Sequence, residues 1–368
     1  MYVVGTQNGN SLFTYESGKT AQAPGTSSNA VIVKYTPAGD VLWVKTVAVG
    51  SDATSLQSVA VNNAGLVVAV GNQSGSGTIN WGNSITTPGG GNSLGSGLIV
   101  AFNDQTGEAV WANIFSGSNE SQILDVAFSK IRQHIAITGY SNGPTSYQGH
   151  SFGILGKNLF VLYLNTNGQW IWGKNPDSTS TAENEGRFVQ LFGNNEIYIT
   201  GSYYKVLSYQ LKFGGVTDSN GNPGNYHFFL AKLNNTGDVL NLSTWKSETG
   251  LAGSEGYEVA TDTWGNVFVA GSDKNGTYEF ESKSLTTHNT SSNFFILKLN
   301  PLFQPEWIRS HYKTAGPDSK SFSGISLNKD YVIGVGYIKN NSSYDLGNSV
   351  SILGNHTGFN AALIAYER

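Results

Sequence analysis

Short apolar runs that end in glycine recur along the chain, and polar stretches separate them. The closing glycines of the six runs are Gly5, Gly71, Gly139, Gly201, Gly271 and Gly336. Successive glycines are 66, 68, 62, 70 and 65 residues apart. A fixed period of this size, built from runs of β type, indicates an array of similar β units. The sequence therefore predicts six repeats.

The clearest copy predicts four strands in a meander. Residues 257–261 alternate with a period of two, and a turn at 262–266 leads into a second apolar run at 267–271. A long polar stretch precedes a third run at 294–299, and a short turn leads to a fourth run that carries Trp307. Turn-forming residues lie between the last two runs, as a hairpin requires.

Tryptophan follows the turn glycine of this last hairpin by four residues in three copies, at Trp43, Trp111 and Trp172. The fourth copy departs from the pattern, because Asn241 stands in that place and Trp245 comes four residues later. We therefore expect an irregular or bulged fourth strand in that unit.

Four-stranded units that repeat around an axis predict an all-β fold, the β-propeller, which removes exposed sheet edges by radial closure. An open β-solenoid is the alternative, but its repeats are normally far shorter. The prediction is a single domain over residues 1–368 with about six four-stranded blades.

The two ends of the chain do not match. The chain opens on a predicted second strand and closes on a third, so 22 strands are expected where a closed ring of six blades needs 24. Either the terminal blade is incomplete, or the two chain ends close it, or sequence is missing. Open edges accept strands from other chains and can build filaments. The edge candidates are Tyr2, Val3, Val4, Ala361, Leu363 and Ala365.

Several positions resemble the SBBP-type β-propeller repeat family of large bacterial and archaeal extracellular proteins. Residues 259–272 are similar to its strand-turn-strand pattern, and Lys34, Lys232 and Lys298 match its lysine. Its aromatic-glycine pair is matched by Trp81-Gly82, Phe152-Gly153 and Phe213-Gly214, with Leu346-Gly347 as a variant. The resemblance covers the whole chain and implies the fold rather than a function.

A second resemblance concerns residues 103–111, which are similar to the tryptophan motif of PQQ-binding quinoprotein dehydrogenases. Those enzymes have more blades and hold their cofactor with the help of adjacent cysteines, which this chain lacks. No cofactor is predicted from this motif.

Charged residues make up 12% of the chain, about half the usual share of roughly 25%. Glycine, hydroxyl and amide residues replace them, which is typical of secreted, cell-surface or virion proteins. The net charge of −4 does not indicate a nucleic-acid partner. No apolar run approaches the ~20 residues that a membrane span needs, so membrane insertion is not predicted. The absence of cysteine excludes disulfides and thiolate chemistry.

Two carboxylate clusters stand at the entries of predicted first strands, Glu183 with Glu185 and Glu255 with Glu258. Paired acids are the catalytic groups of glycosidases, while a solvated turn is the ordinary interpretation.

Alternating oxygen donors at Asp218, Asn220 and Asn222 make a weak calcium candidate, which lacks the closing bidentate glutamate. No other metal site is predicted.

The connection between the second and third strands is the longest and most variable part of each repeat. We expect Trp81, Phe152 and Phe213 to pack on the outer strand of their own blade. Aromatic rings beside Asn, Ser and Gly suit contact with sugars or proteins. The contact candidates are Tyr147, Tyr203, Tyr204, Tyr209, Tyr226, Tyr278 and Tyr344.

Sequons for N-glycosylation occur about as often as this composition produces by chance. The acceptor asparagines are Asn72, Asn119, Asn234, Asn241, Asn275, Asn289, Asn340, Asn341 and Asn355.

These patterns together favour a non-enzymatic structural or adhesive module that lies outside the cell or on a virion. Its predicted partners are other protein subunits, including further copies of itself, which would assemble through strand complementation at the chain ends. The alternative is a lectin that binds glycans on the loop face, and a glycosidase-like or quinoprotein-like enzyme is the third hypothesis.

Overall fold

A computed structural model describes residues 1–117, 119–129, 133–153, 155–177, 183–193, 196–206, 210–218, 223–247, 253–274, 276–287, 293–310, 320–339, 343–346, 350–355 and 357–368. The chain divides into two compact units, Met1–Asn175 and Pro176–Arg368. The strands of the first unit are β1 (Tyr2–Asn8), β2 (Phe13–Glu16), β3 (Lys19–Ala21), β4 (Ser28–Tyr35), β5 (Val41–Thr46), β6 (Thr54–Val61), β7 (Leu66–Gly75), β8 (Ile79–Asn80), β9 (Thr86–Thr87), β10 (Asn92–Asn103), β11 (Ala109–Ile114), β12 (Ser116–Gly117), β13 (Ser121–Phe128), β14 (His134–Asn142), β15 (Thr145–Tyr147), β16 (His150–Phe152), β17 (Lys157–Asn165) and β18 (Trp170–Lys174).

The second unit continues the same pattern. Its strands are β19 (Asn184–Phe192), β20 (Glu196–Lys205), β21 (Leu211–Phe213), β22 (Val216–Asp218), β23 (Asn225–Leu233), β24 (Val239–Thr244), β25 (Lys246–Ser247), β26 (Ser254–Thr261), β27 (Val267–Asp273), β28 (Gly276–Phe280), β29 (Lys283–Thr287), β30 (Asn293–Leu299), β31 (Pro305–Ser310), β32 (Lys320–Leu327), β33 (Tyr331–Lys339), β34 (Ser343–Asp345), β35 (Ser351–Leu353) and β36 (Phe359–Glu367).

The repeats form antiparallel meanders, three in each unit. Sheet 1 is β1-β4-β5, sheet 2 is β6-β7-β10-β11 and sheet 3 is β13-β14-β17-β18. Sheet 4 is β19-β20-β23-β24, sheet 5 is β26-β27-β30-β31 and sheet 6 is β32-β33-β36. The all-β prediction is confirmed. The described residues also contain the 22 repeat strands that were expected, because sheet 1 has no first strand and sheet 6 has no fourth.

Fourteen further strands were not predicted. The connection between second and third strands, predicted as a polar loop, folds into an outer hairpin in each repeat: β2-β3, β8-β9, β15-β16, β21-β22, β28-β29 and β34-β35. Five of the hairpins pack on the fourth strand of their own sheet. Trp81, Phe152 and Phe213 are all buried, and Phe152 lies beside Trp170 of the fourth strand of its own sheet, as predicted.

The core lies between consecutive sheets of each unit. In the first unit, Ile32 and Trp43 of sheet 1 meet Val100 of sheet 2 in one apolar cluster. In the second unit, Leu230 of sheet 4 meets Leu297 of sheet 5 in another. Because both faces of most sheets are covered, their central strands carry continuous apolar runs rather than strict alternation.

The recurring glycine has a steric cause. In five sheets the first strand carries a β-bulge opposite the glycine-bearing end of the second strand. A Cβ on Gly71, Gly139 or Gly201 would lie 2.0 Å from a first-strand carbonyl oxygen, and one on Gly271 would lie 2.3 Å from such an oxygen. No side chain fits at these distances, so only glycine allows the two backbones to approach.

Tryptophan and the turn glycine form a contact between consecutive sheets of the first unit. A Cβ on Gly107 would lie 2.7 Å from the Trp43 ring, and one on Gly168 would lie 2.8 Å from the Trp111 ring. The Trp43 indole N–H donates to the carbonyl of Asp104 at 2.9 Å, and Trp111 donates to Thr166 at 2.9 Å. The indole therefore lies flat against the next turn and is hydrogen-bonded to it.

The fourth repeat lacks this tryptophan, and the following turn compensates. Asn241 takes the position of Trp111 in the strand register. The next turn carries Phe303 instead of glycine, at a φ of 66° and only 4% exposed. Phe303 belongs to the cluster that includes Tyr198 of sheet 4. The expected bulge in the fourth strand of this repeat is confirmed, but it is not specific to that repeat, because all five fourth strands share the same register shift.

Gly139→Ala is expected to destabilise the protein by about 1–3 kcal/mol, because its Cβ collides with the carbonyl oxygen of Gln122. Gly5→Ala is the matched control in the same unit, since no atom of the described part of the chain lies within 4 Å of its Cβ position. Urea denaturation of both variants measures the difference. Equal loss at the two sites would contradict the steric explanation.

Phe303→Gly is expected to lower stability, because truncating a buried phenylalanine costs about 3–5 kcal/mol and the left-handed backbone that it relieves returns only about 1–2 kcal/mol. Adding Asn241→Trp to the same variant recreates the pair seen at Trp43 and Gly107, and should recover part of the loss. Denaturation midpoints of the single and double variants check this, and an undiminished midpoint for Phe303→Gly would refute it.

Candidate functional site

A cleft of about 420 Å³ opens between sheets 4 and 5 of the second unit, where second strands end and first and third strands begin. Its lining includes Tyr204, Asn225, Tyr226, Glu255, Tyr257 and Lys274. The antiparallel register places Tyr204 of β20 opposite Tyr226 of β23. The two rings meet edge to face, with centroids 5.1 Å apart.

Two β-bulges place one side chain in the lining of this cleft and another directly beside it. Arg187 is the bulged residue of β19 and Tyr257 is the bulged residue of β26. A bulge turns its extra side chain out of the regular alternation. The Arg187 guanidinium consequently lies over the Tyr257 ring, 5.3 Å from the ring centroid.

The charges in the cleft form a connected network. Arg187 pairs with Glu185 at 2.5 Å and with Glu255 at 3.2 Å. The Tyr257 hydroxyl donates to Glu255 at 3.0 Å and lies 3.1 Å from the Ser272 hydroxyl. A guanidinium thus bridges carboxylates from two sheets, which holds Glu255 of the cleft lining in place.

Glu183 forms a second polar group at the rim. Its carboxylate accepts a hydrogen bond from the Tyr226 hydroxyl at 2.5 Å, and its backbone carbonyl accepts one from the Tyr204 amide at 2.6 Å. Glu183 is exposed, and Tyr226 is 36% exposed. This half-exposed ring next to a carboxylate is the part of the cleft most accessible to a ligand.

The surroundings raise the pKa of both cleft phenols, Tyr226 and Tyr257. Burial raises the pKa of Tyr226, and the hydrogen bond to Glu183 and the charges of Glu183, Glu185 and Glu255 raise it further. Burial also raises the pKa of Tyr257, and the charge of Glu255 adds to it, while the Ser272 hydrogen bond and the Arg187 charge act against it. Both hydroxyls therefore remain donors at neutral and moderately alkaline pH.

Four predicted contact tyrosines are corrected by the structure. Tyr147, Tyr203, Tyr278 and Tyr344 are buried, so they present no ring face to a ligand. Three of them stand on outer hairpins and use their hydroxyls internally: Tyr147 donates to Gly168 at 2.5 Å, Tyr344 donates to Lys339 at 2.5 Å, and Tyr278 donates to Lys274. Tyr203 packs beside His227, with ring centroids 5.6 Å apart. Tyr209 lies outside the described residues.

The predicted carboxylates divide between two places. Glu183, Glu185 and Glu255 come together at the cleft, although the two sequence clusters are about 70 residues apart. Glu258 lies elsewhere and accepts a hydrogen bond from the Ile325 amide at 2.7 Å, which joins sheet 5 to sheet 6.

The calcium candidate is not assembled within the described residues. Asn220 and Asn222 lie outside them, and Asp218 ends β22. No group of three His, Asp or Glu side chains suited to a metal occurs in the part of the chain that the structure describes.

The predicted glycan acceptors differ in accessibility. Asn119, Asn241 and Asn355 are exposed. Asn72 is half-buried and donates to the Ser121 carbonyl at 3.2 Å, and Asn234 accepts from Thr236 and Asp238 within its own turn. The remaining acceptors, Asn275, Asn289, Asn340 and Asn341, lie outside the described residues.

The predicted assembly residues lie on strands at sheet edges. β1 is an outer strand of sheet 1 and β36 is an outer strand of sheet 6. Val3 is 46% exposed and Leu363 is 67% exposed. Tyr2 and Val4 are half-buried against sheet 2, while Ala361 and Ala365 are exposed.

No protein-family model matches the chain, and no curated protein matches it either. The similarity to SBBP-type repeats therefore stays a prediction from the sequence. The described residues include no helix with the length and apolar character needed to cross a membrane.

Sequence reasoning missed Arg187, Tyr257, Ser272 and Lys274. The sequence does contain a pattern that could have identified Arg187 and Tyr257. In three repeats the bulged residue precedes the repeat glycine by 14 positions, at Gln57, Arg187 and Tyr257. A large side chain at that position points out of the strand alternation, and two such residues in consecutive repeats mark a shared site.

Glu183→Gln is expected to lower the pKa of Tyr226, because it removes the charge that stabilises the protonated phenol, while burial keeps the pKa above its ordinary value. A folded-state pKa above the unfolded-state value of 10.0 means that the phenol stabilises the fold at lower pH, and that this contribution is lost as pH rises through the folded value. Phenolate absorbance titration checks the shift, with Tyr226→Phe to assign the signal. An unaltered titration would contradict the contact.

Proposed function

We propose that the six sheets are the blades of a β-propeller, and that the protein is a non-enzymatic adhesive module outside the cell or on a virion which binds glycans in the cleft. The observation that carries the proposal is the tyrosine pair, Tyr204 and Tyr226, next to the exposed carboxylate of Glu183. The low share of charged residues supports an extracellular or virion-surface location.

A sugar ring offers an apolar C–H face and a rim of hydroxyl groups. The half-exposed Tyr226 ring suits the apolar face. The amide of Asn225 and the ammonium group of Lys274 in the lining, together with the Glu183 carboxylate beside Tyr226, suit the hydroxyls. A concave site with aromatic walls and a few convergent polar groups is the usual form of a small-ligand site. The cleft volume of about 420 Å³ is sufficient for one or two sugar units.

The arrangement of charges favours binding over catalysis. A glycosidase needs one carboxyl group that delivers a proton and a second that acts as nucleophile or base. Next to the cleft, the Arg187 guanidinium forms ion pairs with both Glu185 and Glu255, so it holds these two carboxylates in place. Glu183 is engaged by the Tyr226 hydroxyl.

A glycosidase is the second candidate because Glu255 lines the cleft and two further glutamates, Glu183 and Glu185, lie next to it. Hydrolysis of glycosides by the purified protein, abolished in Glu183→Gln or Glu255→Gln, would replace the adhesive proposal with an enzymatic one. Glycan binding by the purified protein without any turnover of the bound glycan is the result that the adhesive proposal requires.

Tyr226→Ala and Tyr204→Ala are expected to weaken glycan binding about tenfold each, which corresponds to about 1.4 kcal/mol and lies within the range of a lost aromatic contact. Tyr331→Ala is the matched control, because Tyr331 is also exposed and lies in sheet 6, away from the cleft. A glycan array followed by calorimetry on the best ligand measures the change. Silence across a broad array, or equal binding by all variants, would reject the proposal.

A further inference from the structure

The edge strand β1 carries the glycine of its repeat without the neighbour that explains this residue elsewhere. At Gly71, Gly139, Gly201 and Gly271 the missing side chain makes room for a first-strand carbonyl oxygen. No described atom lies within 4 Å of the Cβ position of Gly5. The backbone of β1 thus has the form of a second strand, with its first-strand side open.

The main-chain groups of β1 point to the same conclusion. Met1, Gly9 and the odd-numbered residues between them face β4, as shown by the hydrogen bonds of Tyr35 N–H to the Met1 carbonyl and of Gly9 N–H to the Ser27 carbonyl. In an antiparallel ladder the alternate residues face the other way. The N–H and C=O groups of Tyr2, Val4 and Thr6 therefore point to the open edge, where they can pair with a further strand.

We propose that this edge binds an extended polypeptide segment from outside the described residues that has the first-strand pattern of this repeat, in which the carbonyl oxygen two residues before the bulged residue fills the space at Gly5. Every first strand within the described residues is already paired in its own sheet, so the occupant comes from outside the part of the chain described. The inference concerns the first unit and does not depend on glycan binding in the second.

The other sheets specify what this segment looks like. Three of the five first strands begin with a hydroxyl residue that accepts a hydrogen bond from the third strand of the preceding sheet: Thr54 from Ala30 at 2.9 Å, Ser121 from Gly97 at 3.1 Å and Ser254 from Phe228 at 2.9 Å. The bulged residue stands three positions after the hydroxyl residue in each of these strands, at Gln57, Leu124 and Tyr257. The partner is therefore a segment of about eight residues with Ser or Thr at its start and apolar residues in alternation.

The open edge of β36 carries no comparable mark. In the other sheets a fourth strand pairs with the third strand at this edge. The sequence of β36 contains no glycine that would make room for a close approach of such a strand. The acceptor strand is therefore β1.

A synthetic peptide of residues 121–128 is the probe, because it is a first strand of this chain with its bulge at Leu124. A labelled peptide is expected to bind the full chain in fluorescence polarisation, while a scrambled peptide of the same composition does not. Binding should slow amide exchange at Tyr2, Val4 and Thr6, which face the open edge.

Two variants make the test specific. Gly5→Ala is expected to weaken peptide binding at least tenfold without shifting the unfolding midpoint of the free protein, because its Cβ meets the peptide and nothing else. Thr6→Pro removes one N–H that faces the edge and leaves the pairs at Gly5 and Gln7 in place, so it should weaken binding as well. Absence of peptide binding, binding that Gly5→Ala leaves intact, or protected edge amides in the free protein would each overturn the proposal.

Discussion

The close approach of two backbones at the repeat glycine is the contact on which the rest of the structure depends. The first strand bulges at this point, and its carbonyl oxygen takes the space that a side chain would need. This contact fixes the register of first and second strands, which matters because a shift by one residue would turn every side chain to the opposite face. It also turns the side chain of the bulged first-strand residue out of the regular alternation of the strand.

The side chain of the bulged residue links the fold to the candidate site. In sheets 4 and 5 the bulged residues are Arg187 and Tyr257, and their stacking brings carboxylates from both sheets around one guanidinium. In other repeats the same position holds residues such as Gln57 and Ser323, so the scaffold repeats while the chemistry does not. The cleft and the open edge of β1 thus both follow from the bulge opposite the repeat glycine. At the cleft the bulged first strands are part of the described chain, whereas at β1 the proposed partner segment would supply the bulged strand.

Consecutive sheets are held together by complementary surfaces that vary as pairs. Trp43 with Gly107 and Trp111 with Gly168 combine a large flat ring and a turn that has no side chain. Where Asn241 replaces the ring, Phe303 replaces the turn glycine and accepts a left-handed backbone to reach the core. In that case the large ring comes from the following turn rather than from the fourth strand, and it still fills the core between the sheets, as close packing of a protein interior requires.

The sequence by itself determined the β class, the six repeats and the 22 repeat strands, because period-two alternation and glycine-containing turns act locally. It did not reveal the outer hairpins, whose strands of two to five residues are too short and too polar to show a period. For the same reason it could not separate the exposed Tyr226 from the buried Tyr147, Tyr278 and Tyr344, since burial depends on how each hairpin folds back on its sheet. Only the tertiary structure shows that Glu183, Glu185 and Glu255 lie close together. The bulges and the packing of neighbouring sheets bring these residues together although they are distant in the chain.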